Sequence, residues 1–349
     1  MSENYFNTQK LSNTERQRQL RAELPYFCSE FFVGTENQTT PLTQLNYAYD
    51  LRIFFDFLVK KIPEFQGKRI KQFDFMDLNN VTATHIELFM DYLNAYEFNG
   101  KTYQNNEKAK ARKLSTIRSF FKYFFRKEKI SANVTEKVPM PKLHEKSIVH
   151  LETDEIVNLL DLAETGYALT PTQQAFHEHT DARDFAIITL LLGTGIRVSE
   201  CVGLDVEDID FNINGFKIVR KGGNQVILYF GDEVAKALKK YLKARAEIKD
   251  LPEDEHALFL SLQKRRISTR AVQNLVKKYS SIATPLKKIS PHKLRSTYGT
   301  NLYKETKDIY VVADVLGHKD VNTTKKHYAA MSDDIRRAAA NKVKLREND

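Results

Sequence analysis

The stretch Val138-Pro139-Met140-Pro141-Lys142 divides this chain in two. Neither proline has an amide to donate, and each drives its predecessor out of the helical region, so no regular helix crosses it. Residues 131–150 therefore read as an extended, basic linker between two folded parts, residues 1–130 and 151–349. Length agrees with that division, because 349 residues exceed one ordinary core.

The first part reads as helices. Leu51, Phe54, Phe55 and Leu58 recur at helical spacing, as do Ile86, Phe89, Met90 and Leu93, and again Leu114, Ile117, Phe121 and Phe124. Thr82 or Thr84 suits the start of the second of these. Residues 1–12 read as a loose polar end, and no strand is expected before residue 200. Beyond the linker a helix is expected near Thr153, with Asp154 and Glu155 favourably placed in its first turn. Residues 185–192 read as an apolar helix ending near Gly193 and Gly195. Two β-prone runs, 216–220 and 225–229, flank Lys221-Gly222-Gly223-Asn224, which predicts a hairpin with a lysine at its tip. A helix over 232–248, a short strand over 257–261 and four or five short helices complete the reading. The expected class is mainly α, with a helical N-terminal domain and an α+β C-terminal domain around a small antiparallel sheet.

Apolar residues at 42% and aromatics at 11% indicate a folded protein. The net charge of +9 points to a polyanionic partner. Its distribution says more: residues 100–147 hold 13 Lys/Arg against 4 Asp/Glu, which accounts for the whole excess. A solvated helix face followed by a charged linker is the plainer explanation of that run. No apolar run approaches the roughly 20 residues needed to span a bilayer, and the first 30 residues lack the apolar core of a signal peptide, so a cytoplasmic location is expected. Cys28 and Cys201 indicate neither a disulfide framework nor a zinc site. Gly193-Thr194-Gly195 lacks the lysine-serine/threonine ending of a phosphate-binding loop, so no nucleotide site is expected there.

The residues that carry chemistry are spread over the second part. They are Gly195-Ile196-Arg197-Val198-Ser199-Glu200, then His292-Lys293-Leu294-Arg295, Leu316-Gly317-His318 and His327-Tyr328. Cleaving a DNA phosphodiester needs a nucleophile, cations on the nonbridging oxygens, a proton acceptor for the nucleophile and a proton donor for the departing oxygen. Arg197 and Arg295 suit the second task, because a planar guanidinium binds two phosphate oxygens and stays charged. His292 and Arg295 stand at i and i+3 on an expected helix, with Pro291 well placed at its start. Tyr328 ionises near pH 10 when unperturbed, so it needs cationic neighbours or a base to attack. Singly, each signal has a plainer reading. The chain has 16 tyrosines, a His-x-x-Arg spacing arises by chance, Gly-His often just ends a helix, and a lysine in a Gly-rich turn is usually solvated. Order and spacing together set them apart.

In that order these boxes resemble the tyrosine recombinase (phage integrase) family. The matching elements are residues 193–200, Arg220-Lys221-Gly222-Gly223-Asn224, the box at 292–295, the box at 316–318, and Tyr328 preceded by Asn322-Thr323-Thr324. Compact length makes the chain most similar to the Xer-type site-specific recombinases. The resemblance implies a SAM-like core-binding domain followed by a catalytic domain of the DNA breaking-rejoining fold. It implies that Tyr328 attacks the scissile phosphate, leaving a 3′-phosphotyrosyl bond and a free 5′ hydroxyl. Arg197, Arg295 and His318 would hold the phosphate, and Lys221 would protonate the 5′ oxygen. His292 would accept the tyrosine proton or position the ring, and Glu200 would orient the cluster. No metal or nucleotide is implied, because the phosphotyrosyl bond conserves the energy for rejoining.

The implied partners are double-stranded DNA gripped by both domains, and a homotetramer on two sites formed by exchange of the segment 332–349. The resemblance leaves room for an accessory activating protein, and for a nucleoid-associated role in chromosome partition at cell division. Phosphate contacts are expected from Lys113, Arg118, Lys122 and Arg126, on a helix over 107–128. Two departures stand out: Ser296 where many members carry histidine, and His327 where an apolar residue is usual. His327 is read as structural. Integration or excision of a mobile element, a type IB topoisomerase and a catalytically silent DNA-binding protein stay open beside resolution of chromosome or plasmid dimers. The last conflicts with the presence of every expected reactive residue.

Overall fold

The computed structural model describes residues 2–143, 149–220, 224–252, 255–317 and 320–321. The chain divides into a unit over residues 6–146 and a second over residues 147–349, with residues 1–5 grouped with the second.

The first unit contains α1 (Ser2–Arg21), α2 (Cys28–Thr35), α3 (Pro41–Lys61), α4 (Phe75–Asn80), α5 (Ala83–Tyr92) and α6 (Glu107–Arg126). Its core is built from phenylalanines. Phe27, Phe31, Phe54, Phe55, Phe120, Phe121 and Phe124 are all buried. Their rings meet edge to face, as Phe27 does with Phe124 at 5.5 Å and Phe54 with Phe89 at 5.2 Å, a geometry the ring quadrupole favours. Local chemistry sets the helix starts. Thr40 caps α3 ahead of Pro41, and the Thr82 hydroxyl accepts the His85 amide at the start of α5.

Three features of this unit differ from the sequence expectation. Residues 2–21 form α1, not a loose end. Its middle is rich in Lys, Arg, Glu and Gln, good helix formers, and buried Gln17 and Leu20 anchor its last turns. A hairpin precedes residue 200: β1 (Tyr96–Phe98) pairs antiparallel with β2 (Lys101–Tyr103). Asn99 and Gly100 both have positive φ, 51° and 69°, as a two-residue primed turn demands. Thirdly, residues 131–138 belong to this unit. A short 3₁₀ turn spans Val134–Lys137, and Val138 is buried in the phenylalanine core.

The second unit contains α7 (Thr153–Thr165), α8 (Pro171–His177), α9 (Asp181–Thr194), α10 (Val198–Gly203), α11 (Asp232–Ala246), α12 (Thr269–Ala283), α13 (Pro291–Thr306) and α14 (Ile309–Leu316). Past its charged first turn, helix α9 is apolar all round from Phe185 to Leu192, with Ala186, Ile187, Ile188, Leu190 and Leu191 fully buried, as a segment enclosed by neighbours must be. It packs against α7, α11 and α13. A three-stranded antiparallel sheet follows α10, in the order β3 (Ile209–Asp210), β4 (Gly215–Val219), β5 (Gln225–Tyr229). Its register pairs Phe216 with Leu228 and Val219 with Gln225. Phe216, Ile218 and Leu228 face the core, and Lys217 and Ile227 do not. In place of the strand expected over 257–261, only single bridges form, Asp205 with Ala257 and Leu260 with Arg266. Both cysteines are buried and unpaired, and burial pushes the Cys201 thiol up to about 12. Among the described residues no helix is long and apolar enough to cross a membrane.

Candidate active site

Two helix ends meet in the second unit. Helix α9 ends at Gly195 (φ 62°) and α14 at Gly317 (φ 60°), both left-handed. A Cβ on Gly195 would stand 2.4 Å from the Tyr298 ring, and one on Gly317 would stand 2.4 Å from the Arg220 guanidinium, so both positions admit only glycine. A helix C-terminus leaves carbonyls without intrahelical partners and carries the negative end of the dipole. Arginines from three other elements satisfy these carbonyls.

Arg197 stands at the start of α10. Glu200, one turn on and only 6% exposed, holds it twice: its Oε2 accepts the Arg197 amide at 3.0 Å, and its Oε1 accepts Nη1 at 2.7 Å. Nη2 donates to the carbonyls of Gly317 at 2.9 Å and Leu316 at 3.3 Å. Arg295, on α13, is 5% exposed. Its Nη1 donates to the Gly195 carbonyl and its Nη2 to the Leu316 carbonyl. The Leu316 oxygen is thus shared between Arg197 and Arg295. Arg220, just past β4, donates from Nη1 to Asp314 O at 3.1 Å and from Nη2 to Val315 O at 2.7 Å. Burial pushes the Arg220 guanidinium below its usual range. Glu200 opposes that shift, and Arg197 adds to it.

Three guanidinium groups therefore share one neighbourhood with the Glu200 and Asp314 carboxylates, and the other hydrogen bonds named above go to neutral carbonyls. Such a cluster keeps a net positive field, and its donors suit an anion with several oxygens. Tyr298, beside Gly195, is a poor nucleophile, since burial pushes its phenol up and disfavours the phenolate.

Arg197, Glu200 and Arg295 are thus brought together from sites nearly a hundred residues apart. His292 is exposed on the first turn of α13, one turn before Arg295. Lys221, His318 and Tyr328 lie outside the described residues. Arg220 enters the sequence reading only as the neighbour of Lys221 in a matching box, with no role of its own. Its only signal is its place, a charged residue that ends an apolar strand next to a Gly-rich turn.

The basic helix α6 divides differently from the expectation. Lys113 is not a surface cation: it is 5% exposed, and its Nζ lies 3.1 Å from Asp50 Oδ1. Asp50 is fully buried and also accepts Arg112, at 2.5 and 2.8 Å, and the Thr116 hydroxyl at 2.8 Å. A buried carboxylate claims Lys113, which removes it from the candidate phosphate contacts. Arg118 is half-buried and donates to the Val138 carbonyl. Lys122 and Arg126 are exposed.

Residues 150–334 match the phage integrase family. The tyrosine recombinase XerC of Caldanaerobacter subterraneus subsp. tengcongensis is 36% identical over 330 residues, covering 92% of this chain and 87% of that protein. XerC of Thermodesulfovibrio yellowstonii is 37% identical over 218 residues, covering 62% of this chain and 69% of its own length. Among solved structures, the XerH site-specific recombinase bound to palindromic difH substrate, a post-cleavage complex, superposes with a TM-score of 0.62. It shares 18% identity and covers 87% of this chain and 80% of that one. A lambda integrase dimer bound to a COC′ core site gives a TM-score of 0.59 at 15% identity, covering 89% of this chain and 79% of that one. The two structures share the fold.

Proposed function

The chain belongs to the phage integrase family as a site-specific tyrosine recombinase of the Xer type, and on that premise we propose that Tyr328 cuts double-stranded DNA at a phosphate held by Arg197 and Arg295. The Tyr328 oxygen bonds to phosphorus, and the bond from phosphorus to the 5′ oxygen breaks. The phenol proton passes to His292, and Lys221 gives a proton to the departing 5′ oxygen. The products are a 3′-phosphotyrosyl bond and a free 5′ hydroxyl. Attack by the 5′ hydroxyl of a partner strand reverses these steps and joins exchanged strands. His318 adds a donor to the phosphate, and Glu200 keeps Arg197 aimed. No metal or nucleotide enters this scheme.

One observation carries the proposal. Arg197 and Arg295, from different elements, converge on the single Leu316 oxygen. Two forks that meet on one oxygen in a positively charged neighbourhood support the reading of a phosphate clamp.

The working form is a homotetramer on two DNA sites, assembled through the segment 332–349, with room for an accessory activating protein. The biological setting is resolution of chromosome or plasmid dimers in the cytoplasm, on the nucleoid. Lys122 and Arg126 contact backbone phosphates.

A duplex nicked next to the cleavage site traps the covalent species. The unsubstituted protein attaches to the 3′ side, and Tyr328→Phe gives no attachment. Attachment that persists in Tyr328→Phe removes this tyrosine from the mechanism. Strand exchange between two such sites, scored on the same preparation, separates a recombinase from an enzyme that only relaxes supercoils.

A further inference from the structure

Arg220 has no part in the scheme above, yet two hydrogen bonds hold its side chain beside the site. The β4–β5 ladder runs one step past Val219, because the Arg220 amide donates to the Asn224 carbonyl at 2.8 Å. The pairing is therefore fixed up to the residue that precedes Lys221. From there the Arg220 side chain crosses to α14 and donates to Asp314 and Val315, 94 and 95 residues away in sequence. Its guanidinium lies against Gly317, where a Cβ would come within 2.4 Å of Cζ. Its Nε is buried without a partner among the described residues. A buried donor left unsatisfied costs free energy, and the half-buried guanidinium makes its two hydrogen bonds to carbonyls. Cross-linking the end of the central strand β4 to the helix end is what this arrangement accomplishes.

Consecutive Cα atoms are about 3.8 Å apart. Fixing Arg220 to the end of α14 thus limits where the backbone of Lys221 begins, relative to the clamp that the same helix end engages. A proton donor must reach its target within hydrogen-bond distance. We infer that Arg220 is a positioning residue, which ties the strand carrying Lys221 to the C-terminal turn of α14 so that Lys221 meets the departing 5′ oxygen. The inference rests on the proposed role of Lys221 as the leaving-group acid.

The test uses the full-length protein and two nicked duplexes, one ordinary and one with sulfur in place of the 5′ bridging oxygen at the scissile phosphate. On the sulfur duplex the phosphorus–sulfur bond breaks and a thiolate departs without needing a proton from the enzyme. Arg220→Ala is expected to lower single-turnover attachment to the ordinary duplex about 10²-fold, the scale of an ångström-sized misplacement. Arg220→Lys, which keeps the charge and reaches at most one carbonyl, falls between. On the sulfur duplex both variants return to the rate of the unsubstituted protein, as Lys221→Ala does. If Arg220→Ala is equally slow on both duplexes, Arg220 acts on the phosphate or the fold and the inference is overturned. It is overturned as well if Arg220→Ala leaves the ordinary rate unchanged. Lys221→Ala separates the two levels: if sulfur fails to rescue it, the acid assignment fails and this inference falls with it. If sulfur rescues Lys221→Ala and not Arg220→Ala, the Arg220 inference fails alone. Should Arg220→Ala not fold, Arg220→Lys carries the same comparison.

Discussion

Each unit of this protein gathers basic side chains around a buried point, and the two gatherings differ in what they gather around. In the first unit Arg112 and Lys113 meet on Asp50, a fully buried carboxylate. In the second, Arg197, Arg220 and Arg295 meet mainly on backbone carbonyls at the end of α14. The first cluster is organised around an anion: Lys113 is enclosed with Asp50 in the core, while Arg112 reaches it from a half-exposed position. The second is organised around dipoles, with the Glu200 carboxylate paired to Arg197 and the Asp314 charge near Arg220. A basic residue is thus better judged by its acceptor than by its exposure: Arg295 is as buried as Lys113.

The largest effect expected from breaking this contrast is at Asp50. Replacing it with alanine leaves Arg112 and Lys113 without their counter-charge, at a cost of about 3–5 kcal/mol of stability. Denaturant melts should show that loss, while DNA cleavage per folded molecule stays unchanged. A normal melt would mean that the two basic groups find water, and the contrast with the second unit would weaken.

Next comes Arg295→Ala, which should slow single-turnover cleavage by about 10²–10³-fold, the usual effect of losing a transition-state donor. DNA binding in a gel-shift titration should change little. A variant that melts early but cleaves normally once folded would make this cluster structural, like the one around Asp50.

The smallest effect sharpens the contrast on α6 itself. Lys122→Gln with Arg126→Gln should reduce the salt dependence of DNA binding, by about 0.9 in the log–log slope for each phosphate that is no longer neutralised. An unchanged slope would move the DNA path off this helix face.

Patterns that act within one turn or one face are legible in the sequence. The phenylalanine spacing of α3 and α6 marks a buried stripe, and Thr82 announces α5 through its capping hydroxyl. Arg197 and Glu200 stand three apart, so their pairing is local and readable. The hairpin at Tyr96–Tyr103 is harder: three-residue strands leave no room for alternation, and only Asn99-Gly100 carries the signal. Helix α1 is hidden by its polarity, since it is held by its last turns and not by a stripe. Long-range contacts are legible only where the family resemblance carries them, as for Arg197 and Arg295. Nothing near Lys113 foretells Asp50, 63 residues away, and nothing near Arg220 foretells the end of α14. The same limit applies to exposure, where Lys122 and Arg118 share a sequence spacing but not an environment.

The Leu316 oxygen, shared by Arg197 and Arg295, has a thermodynamic consequence for substrate capture. Long side chains give up about 1.5–2 kcal/mol of rotamer freedom each when they are fixed. Here both guanidinium groups are already fixed by folding, on an acceptor that belongs to the protein itself. On the proposed role of these two arginines, an arriving phosphate would exchange a neutral oxygen for an anionic one with both guanidinium groups already in place. DNA bound in that way would be relieved of an entropic penalty that flexible surface arginines would still incur.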